Sequence, residues 1–179
     1  MGLQELHLTG GEPTLREDLE DVVAYAVKKA LNVRLITNGT ILTNERLQRL
    51  HSLGLNSIMI SLDGESAYHN AARGEGTFEK AFATVKDAIN LGMLVRVNSV
   101  AWRDNQQDIL CLAEKIDDLG VDIYSIFLGS PLGYAQAHKE NIISPDKWYE
   151  FCMAVRDATS IVIQKILVNH TSFDIMGAR

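Results

Sequence analysis

Two glycines, a carboxylate and a proline stand together at Gly10-Gly11-Glu12-Pro13, between an apolar run and an amphipathic one. Glycine lets main-chain N–H and C=O groups come close to a ligand, because no Cβ intervenes. Glu12 adds an acceptor suited to a cationic amine, and Pro13 stiffens the exit. Farther along, Ser61 and Asp63 precede Gly64, Arg73 ends the polar stretch HNAAR, and Asn98 lies in RVNSV. Each also has a plainer reading. GGEP is ordinary strand-to-helix turn chemistry, and Ser61 with Asp63 can close an Asx-type turn before Gly64. Arg73 can be a solvated charge in a loop, and Asn98 can satisfy neighbouring main chain. His7, His51, His69, His138 and His170 lack metal-ligand spacing, so packing or surface roles are expected, with His69 closest to the candidate site.

The elements that would hold these residues follow from periodicity. QELHLTG, NVRLITNG, NSIMISLDG, MLVRVNSV and DIYSIFLG read as five strands. Helix-period segments separate them, and Leu53-Gly54, Leu91-Gly92 and Leu119-Gly120 end three of these with a glycine suited to the left-handed C′ position. One helical face is Leu19, Val22, Val23, Ala26, Val27 and Ala30, behind a Thr14–Glu17 pair with capping-box spacing. Phe78, Ala81, Phe82, Val85 and Ile89 form another behind a Thr77 cap. Ile109, Leu112, Ala113, Ile116 and Leu119 form a third. Ser144-Pro145 opens a fourth, with Trp148, Phe151, Cys152 and Val155 inward. SIVIQKILV, after Ser160, reads as a strand or a continued helix. Strands alternating with helices predict right-handed crossovers and a parallel sheet covered by helices. Such sheets bind ligands at their carboxyl ends. The unusual residues share that address: Gly10 to Pro13 follow the first strand, Asp63-Gly64 the third, Asn98 closes the fourth and Gly129 follows the fifth. Asn38-Gly39, after the second, reads as turn chemistry.

Composition narrows the class. At 179 residues and 46% hydrophobic, the chain can bury a sizeable core as one domain over 1–179. A net charge of −6 argues against nucleic acid or an anionic membrane as partner. No run suits a bilayer span or a signal peptide. Two widely separated cysteines, Cys111 and Cys152, fit a reduced cytoplasmic protein.

The order LTGGEP, ITNGT, ISLDGESAYHNAARGEGTF, RVNSV resembles the core domain of radical S-adenosylmethionine (radical SAM) enzymes, closely from Glu5 to Ser99 and loosely beyond. The resemblance implies an α/β fold, a partial (βα)6 TIM-like barrel, that binds S-adenosylmethionine beside a 4Fe–4S cluster. It further implies a 5′-deoxyadenosyl radical that abstracts hydrogen from substrate, with an electron donor such as flavodoxin or ferredoxin. Position by position, Gly10, Gly11, Glu12 and Pro13 match the motif that holds the methionyl amino group. Ser61 and Asp63 match the segment near the ribose or methionyl part. Arg73 matches an arginine that pairs with the methionyl carboxylate, a task for its bidentate fork. Asn98 matches a polar residue near the ribose, and Phe127, Leu128 and Gly129 match the strand that packs the adenine. GSPLGYAQAHKENIISPDKWYEF resembles a segment of the SPASM-type subgroup, which implies peptide modification or cofactor maturation. Gly133-Tyr134-Ala135 stands where that subgroup often carries Gly-Arg-Ala.

One departure is large. The family's cluster is held by three thiolates of a CxxxCxxC loop, and this sequence has none; Cys111 and Cys152 fall on helical segments. The loop would precede GGEP, so the expectation is a chain that starts at the second βα unit, lacking the first, and runs through the sixth to a C-terminal helix. Such a chain would not cleave S-adenosylmethionine alone and would expose a sheet edge; supplying the earlier segment should restore solubility and cluster loading. Two other readings stand beside this one. The first is a non-catalytic partial barrel that binds a nucleoside or a partner protein. The second is a barrel enzyme using Glu12 and Asp63 as an acid–base pair.

Overall fold

The apolar runs pair side by side, and every pairing is parallel. In the computed structural model, which describes residues 2–130 and 140–166, the strands are β1 (Glu5–Leu8), β2 (Asn32–Thr37), β3 (Ser57–Ser61), β4 (Leu94–Ala101), β5 (Ile123–Leu128) and β6 (Val162–Ile166). They lie in sequence order across one open sheet. That is one strand more than the five expected, because SIVIQKILV begins as strand β6 rather than continuing a helix. The residues after it, and Gly133-Tyr134-Ala135, His138 and His170, lie outside the described residues.

Helices α1 (Leu19–Lys28), α2 (Asn44–Ser52), α3 (Ser66–Arg73), α4 (Thr77–Asn90), α5 (Gln106–Leu119) and α6 (Pro145–Ala158) fill the crossovers. Their apolar faces and alternate strand residues form one core, with Leu35, Ile58, Ile60, Val95, Val97, Tyr124 and Ile126 supplied by the sheet. Trp148, Phe151, Cys152 and Val155 point inward on α6, as their spacing predicts. Gly54, Gly92 and Gly120 follow α2, α4 and α5 with φ of 102°, 70° and 84°, the left-handed conformation expected of them.

Period two gives the sheet a second face. Along β4, Val95, Val97, Ser99 and Ala101 are buried toward the helices, while Arg96, Asn98 and Val100 point the other way and are half-buried. Cross-strand register arranges this second face in rows. His7, Arg34, Ser57 and Leu94 form a row toward the amino ends of the strands, with Glu5 and Asn32 before it. Ile36, Met59, Arg96 and Ile123 form the next, and Ser61, Asn98 and Ser125 the one after it, with Val100 and Phe127 beyond toward the carboxyl ends.

Several local expectations change. No Thr14–Glu17 capping box forms: Pro13–Leu15 is a short 3-10 turn, and α1 starts only at Leu19 after Asp18. Thr77 is the first residue of α4 rather than its cap; Gly76, at φ 72°, occupies the cap position. Ala30 is exposed just beyond α1 at φ 57°, so it leaves the buried face. Arg73 closes helix α3 instead of lying in a loop. Asn98 lies inside β4, which continues to Ala101, rather than closing it.

Candidate functional site at the carboxyl edge

The loop after β1 is organised by one carboxylate. Glu12 Oε1 accepts from the Thr14 N–H at 3.0 Å, the Thr14 hydroxyl at 2.5 Å and the Thr37 hydroxyl at 2.7 Å. Its Oε2 accepts from the Asn38 N–H at 2.8 Å. Burial would raise the Glu12 pKa, but hydrogen bonds from Thr14, Asn38 and Thr37 outweigh it and hold the carboxyl below its ordinary value. Glu12 is therefore an ionised acceptor that ties the loop to the end of β2. A carboxylate has about four acceptor positions; Oε1 carries three donors and Oε2 one, so Oε2 retains room for a cationic N–H. Ahead of it, a Cβ on Gly10 or Gly11 would meet nothing within 4 Å, and Gly10 holds φ 141°. The main chain there faces open space.

The ends of β3 and β4 are knitted together. Ser61 donates to Asn98 Oδ1 at 3.2 Å, directly across the register. Asp63, only 9% exposed, accepts from Arg73 Nε at 2.6 Å and from the Val100 N–H at 3.0 Å. Arg73 thus spends one nitrogen of its guanidinium on Asp63, and among the described residues its two terminal nitrogens have no hydrogen-bond partner. The Asp63 N–H donates to Nδ1 of the buried His69 at 3.1 Å. Burial, then the nearby Arg73 charge, lower the His69 pKa, so the ring is a neutral acceptor.

The sequence placed His69 closest to the candidate site; its role as acceptor for the Asp63 N–H shows only once α3 folds back over β3. One further residue escaped the sequence reading. Asn105, fully buried, donates to the Asp63 and Val100 carbonyls at 2.9 Å each and accepts from the Trp102 N–H at 2.8 Å. No motif marks it; its partners are set by the chain reversal between β4 and α5.

The remaining positions fall where expected or close by. Phe127 and Leu128 end β5 half-buried, and the Gly129 N–H donates to the Ala101 carbonyl at 2.9 Å. A Cβ on Gly129 would lie 2.5 Å from the Trp102 ring, so only glycine permits that approach. Asn38-Gly39 is a turn: Asn38 Oδ1 accepts from the Thr40 N–H at 2.9 Å, and Gly39 has φ 70°. Pro13 is buried at the start of the 3-10 turn. An open cleft of about 530 Å³ lies elsewhere, at the amino edge beside Glu5, Arg34, Ser57 and Leu94. It contains none of these residues.

Cys111 is exposed on α5 and Cys152 buried on α6. Among the described residues no group of three His, Cys, Asp or Glu side chains could hold a metal ion. No helix there is long and apolar enough to cross a membrane.

Comparison with known proteins follows the same outline. A model of the Radical SAM superfamily matches residues 1–116. The AdoMet-dependent heme synthase of Nitratidesulfovibrio vulgaris is 35% identical over 147 residues, covering 79% of this chain and 39% of its own. The PqqA peptide cyclase of Methylocella silvestris is 34% identical over 110 residues, covering 60% and 29%. Streptococcus suis SuiB bound to the precursor peptide SuiA superimposes with a TM-score of 0.76 at 16% identity, covering 90% of this chain and 38% of that one. The chain spans about two fifths of the length of the curated relatives that it matches over most of its own.

Proposed function

The chain belongs to the radical SAM superfamily, and from that premise we propose that the carboxyl edge of its sheet receives S-adenosylmethionine, in a protein that uses the 5′-deoxyadenosyl radical to abstract hydrogen from a substrate. The observation that carries the reading is the meeting of Gly10-Gly11-Glu12, Ser61–Asn98 and Asp63–Arg73 at the ends of β1, β3 and β4. The exposed main chain of Gly10 and Gly11 and the Glu12 Oε2 position suit a methionyl ammonium. The terminal nitrogens of Arg73 suit the methionyl carboxylate. Ser61 and Asn98 offer polar groups at the ribose level, and Phe127, Leu128 and Gly129 a wall for the adenine. Asp63 takes a positioning role, because both of its oxygens already hold protein donors.

When bound, S-adenosylmethionine supplies the sulfonium from which the family draws its radical. The two cysteines of this chain do not fit a 4Fe–4S cluster, since they lie on different helices and only one is exposed. The described residues therefore account for binding and orienting S-adenosylmethionine, not for reducing it. The cluster ligands and a flavodoxin- or ferredoxin-type donor belong to the proposal for the whole protein. Its substrate, in this reading, is a peptide, as the names of PqqA peptide cyclase and SuiB's partner support, or a cofactor precursor, as that of heme synthase supports. The separated cysteines favour one second reading, a nucleoside-binding module without a cluster. An acid–base pair of Glu12 and Asp63 gains no support, because both Asp63 oxygens already hold protein donors and Glu12, held ionised, has no proton to give.

Calorimetric titration with S-adenosylhomocysteine tests the proposal. Saturable binding that is lost in Arg73→Ala is the expected result; no binding, or binding indifferent to Arg73, would contradict it. Anaerobic reconstitution of the whole protein, scored by reductive cleavage of S-adenosylmethionine, separates the radical reading from the cluster-free one.

A further inference from the structure

The face of the sheet away from the helices carries a second chemical signal. In its middle row, Arg96 lies in register with Met59 and Ile123, and Ile36 completes the row. A guanidinium among three apolar side chains needs a partner, because burying an unpaired cation is costly. Arg96 has none: its Nε is buried without a hydrogen-bond partner, and no hydrogen bond or ion pair reaches its other nitrogens among the described residues. The carboxylates in the neighbourhood are committed elsewhere. Glu5 binds Arg34 at 2.6 Å and lies 3.1 Å from His7. Asp122 accepts from the Val95 N–H at 2.7 Å. Arg34 adds a second cation one row away, itself paired with Glu5.

Position gives this cation a use. Arg96 and Asn98 are two residues apart on one strand and point to the same face, which places them about 6.6 Å apart along β4. A molecule beside the nucleoside level of Ser61 and Asn98 could reach Arg96 in one side-chain step. We propose that Arg96, with Arg34 behind it, receives an oxyanion of the substrate, so that the molecule acted upon carries a carboxylate or phosphate group. Guanidinium is the side chain suited to that task, because its planar donors match such groups in pairs. This substrate class rests on the reading of the carboxyl edge given above, whereas the anion site itself does not.

The test uses the full chain labelled with ¹⁵N, following the arginine Nε–H resonances. Glutarate, inorganic phosphate and the neutral glutaramide are titrated in parallel, and the tighter anion names the group. The expected result is a saturable shift of the Arg96 resonance with an anion but not with glutaramide. Arg96→Met should bind the anion at least about tenfold more weakly, with a thermal midpoint unchanged or raised, since a half-buried cation whose Nε lacks a partner is removed. Arg96→Lys should fall between the two, having charge without the fork. Equal shifts from glutaramide, or anion binding that Arg96→Met leaves intact, would overturn the proposal. So would a steep loss of stability in Arg96→Met, which would make the residue structural. Should S-adenosylhomocysteine fail to bind while the anion site behaves as described, the proposal for the carboxyl edge falls and the anion site stands.

Discussion

Single residues at the carboxyl edge do more holding than the sequence reveals. Glu12 was legible as an acceptor; its four internal donors were not, because Thr37 and Asn38 reach it only through strand pairing. Glu12→Gln turns one acceptor oxygen into a donor facing other donors. It should lower stability by roughly 2 kcal/mol, read by denaturant titration, and weaken S-adenosylhomocysteine binding. Since the folded Glu12 pKa lies below the ordinary 4.5, its contribution is complete above that pH and fades as pH falls through the lower folded value. His69 works in a different range. Its folded pKa lies below 6.5, so the unfolded chain binds the extra proton first, and stability declines as pH drops below 6.5. His69→Asn keeps an acceptor for the Asp63 N–H without titrating, and should flatten the fall of the thermal midpoint between pH 6.5 and the folded value. An unchanged slope would place the titration in another group.

At the scale of elements, what was readable depended on burial. Strands whose alternate residues enter the core announced themselves, as in MLVRVNSV and DIYSIFLG. Helix starts were mixed: Ser144-Pro145 opens α6 as its sequence suggests, whereas Thr14 is drawn into the Glu12 network and Thr77 donates to the Gly74 carbonyl. HNAAR read as loop because α3 buries little, His69 being its one buried residue. The β4–α5 turn was illegible for another reason, since Asn105 joins two nearby main-chain groups to the Asp63 carbonyl, which only the fold brings beside them. Asn105→Ala strands them in a buried place. The expected cost is about 3 kcal/mol, a drop of roughly 6 to 12 °C in unfolding midpoint for a chain of this size. A drop well below that range would mean that water replaces the amide.

For the whole molecule, the parallel order of six strands sets one edge for ligands and leaves an entire face away from the helices. The resemblance of GGEP and its companions to a family, rather than any single residue, made that edge readable. The cleft at the amino edge, of about 530 Å³, is the alternative address for a ligand. Mapping amide shifts on titration with S-adenosylhomocysteine decides between the two most directly. The account predicts shifts at Gly10, Gly11, Asn98 and Gly129, with Val33, Gly54 and Ser57 unmoved. Shifts confined to those last three, or none at saturating ligand, would contradict a nucleoside site at the carboxyl edge.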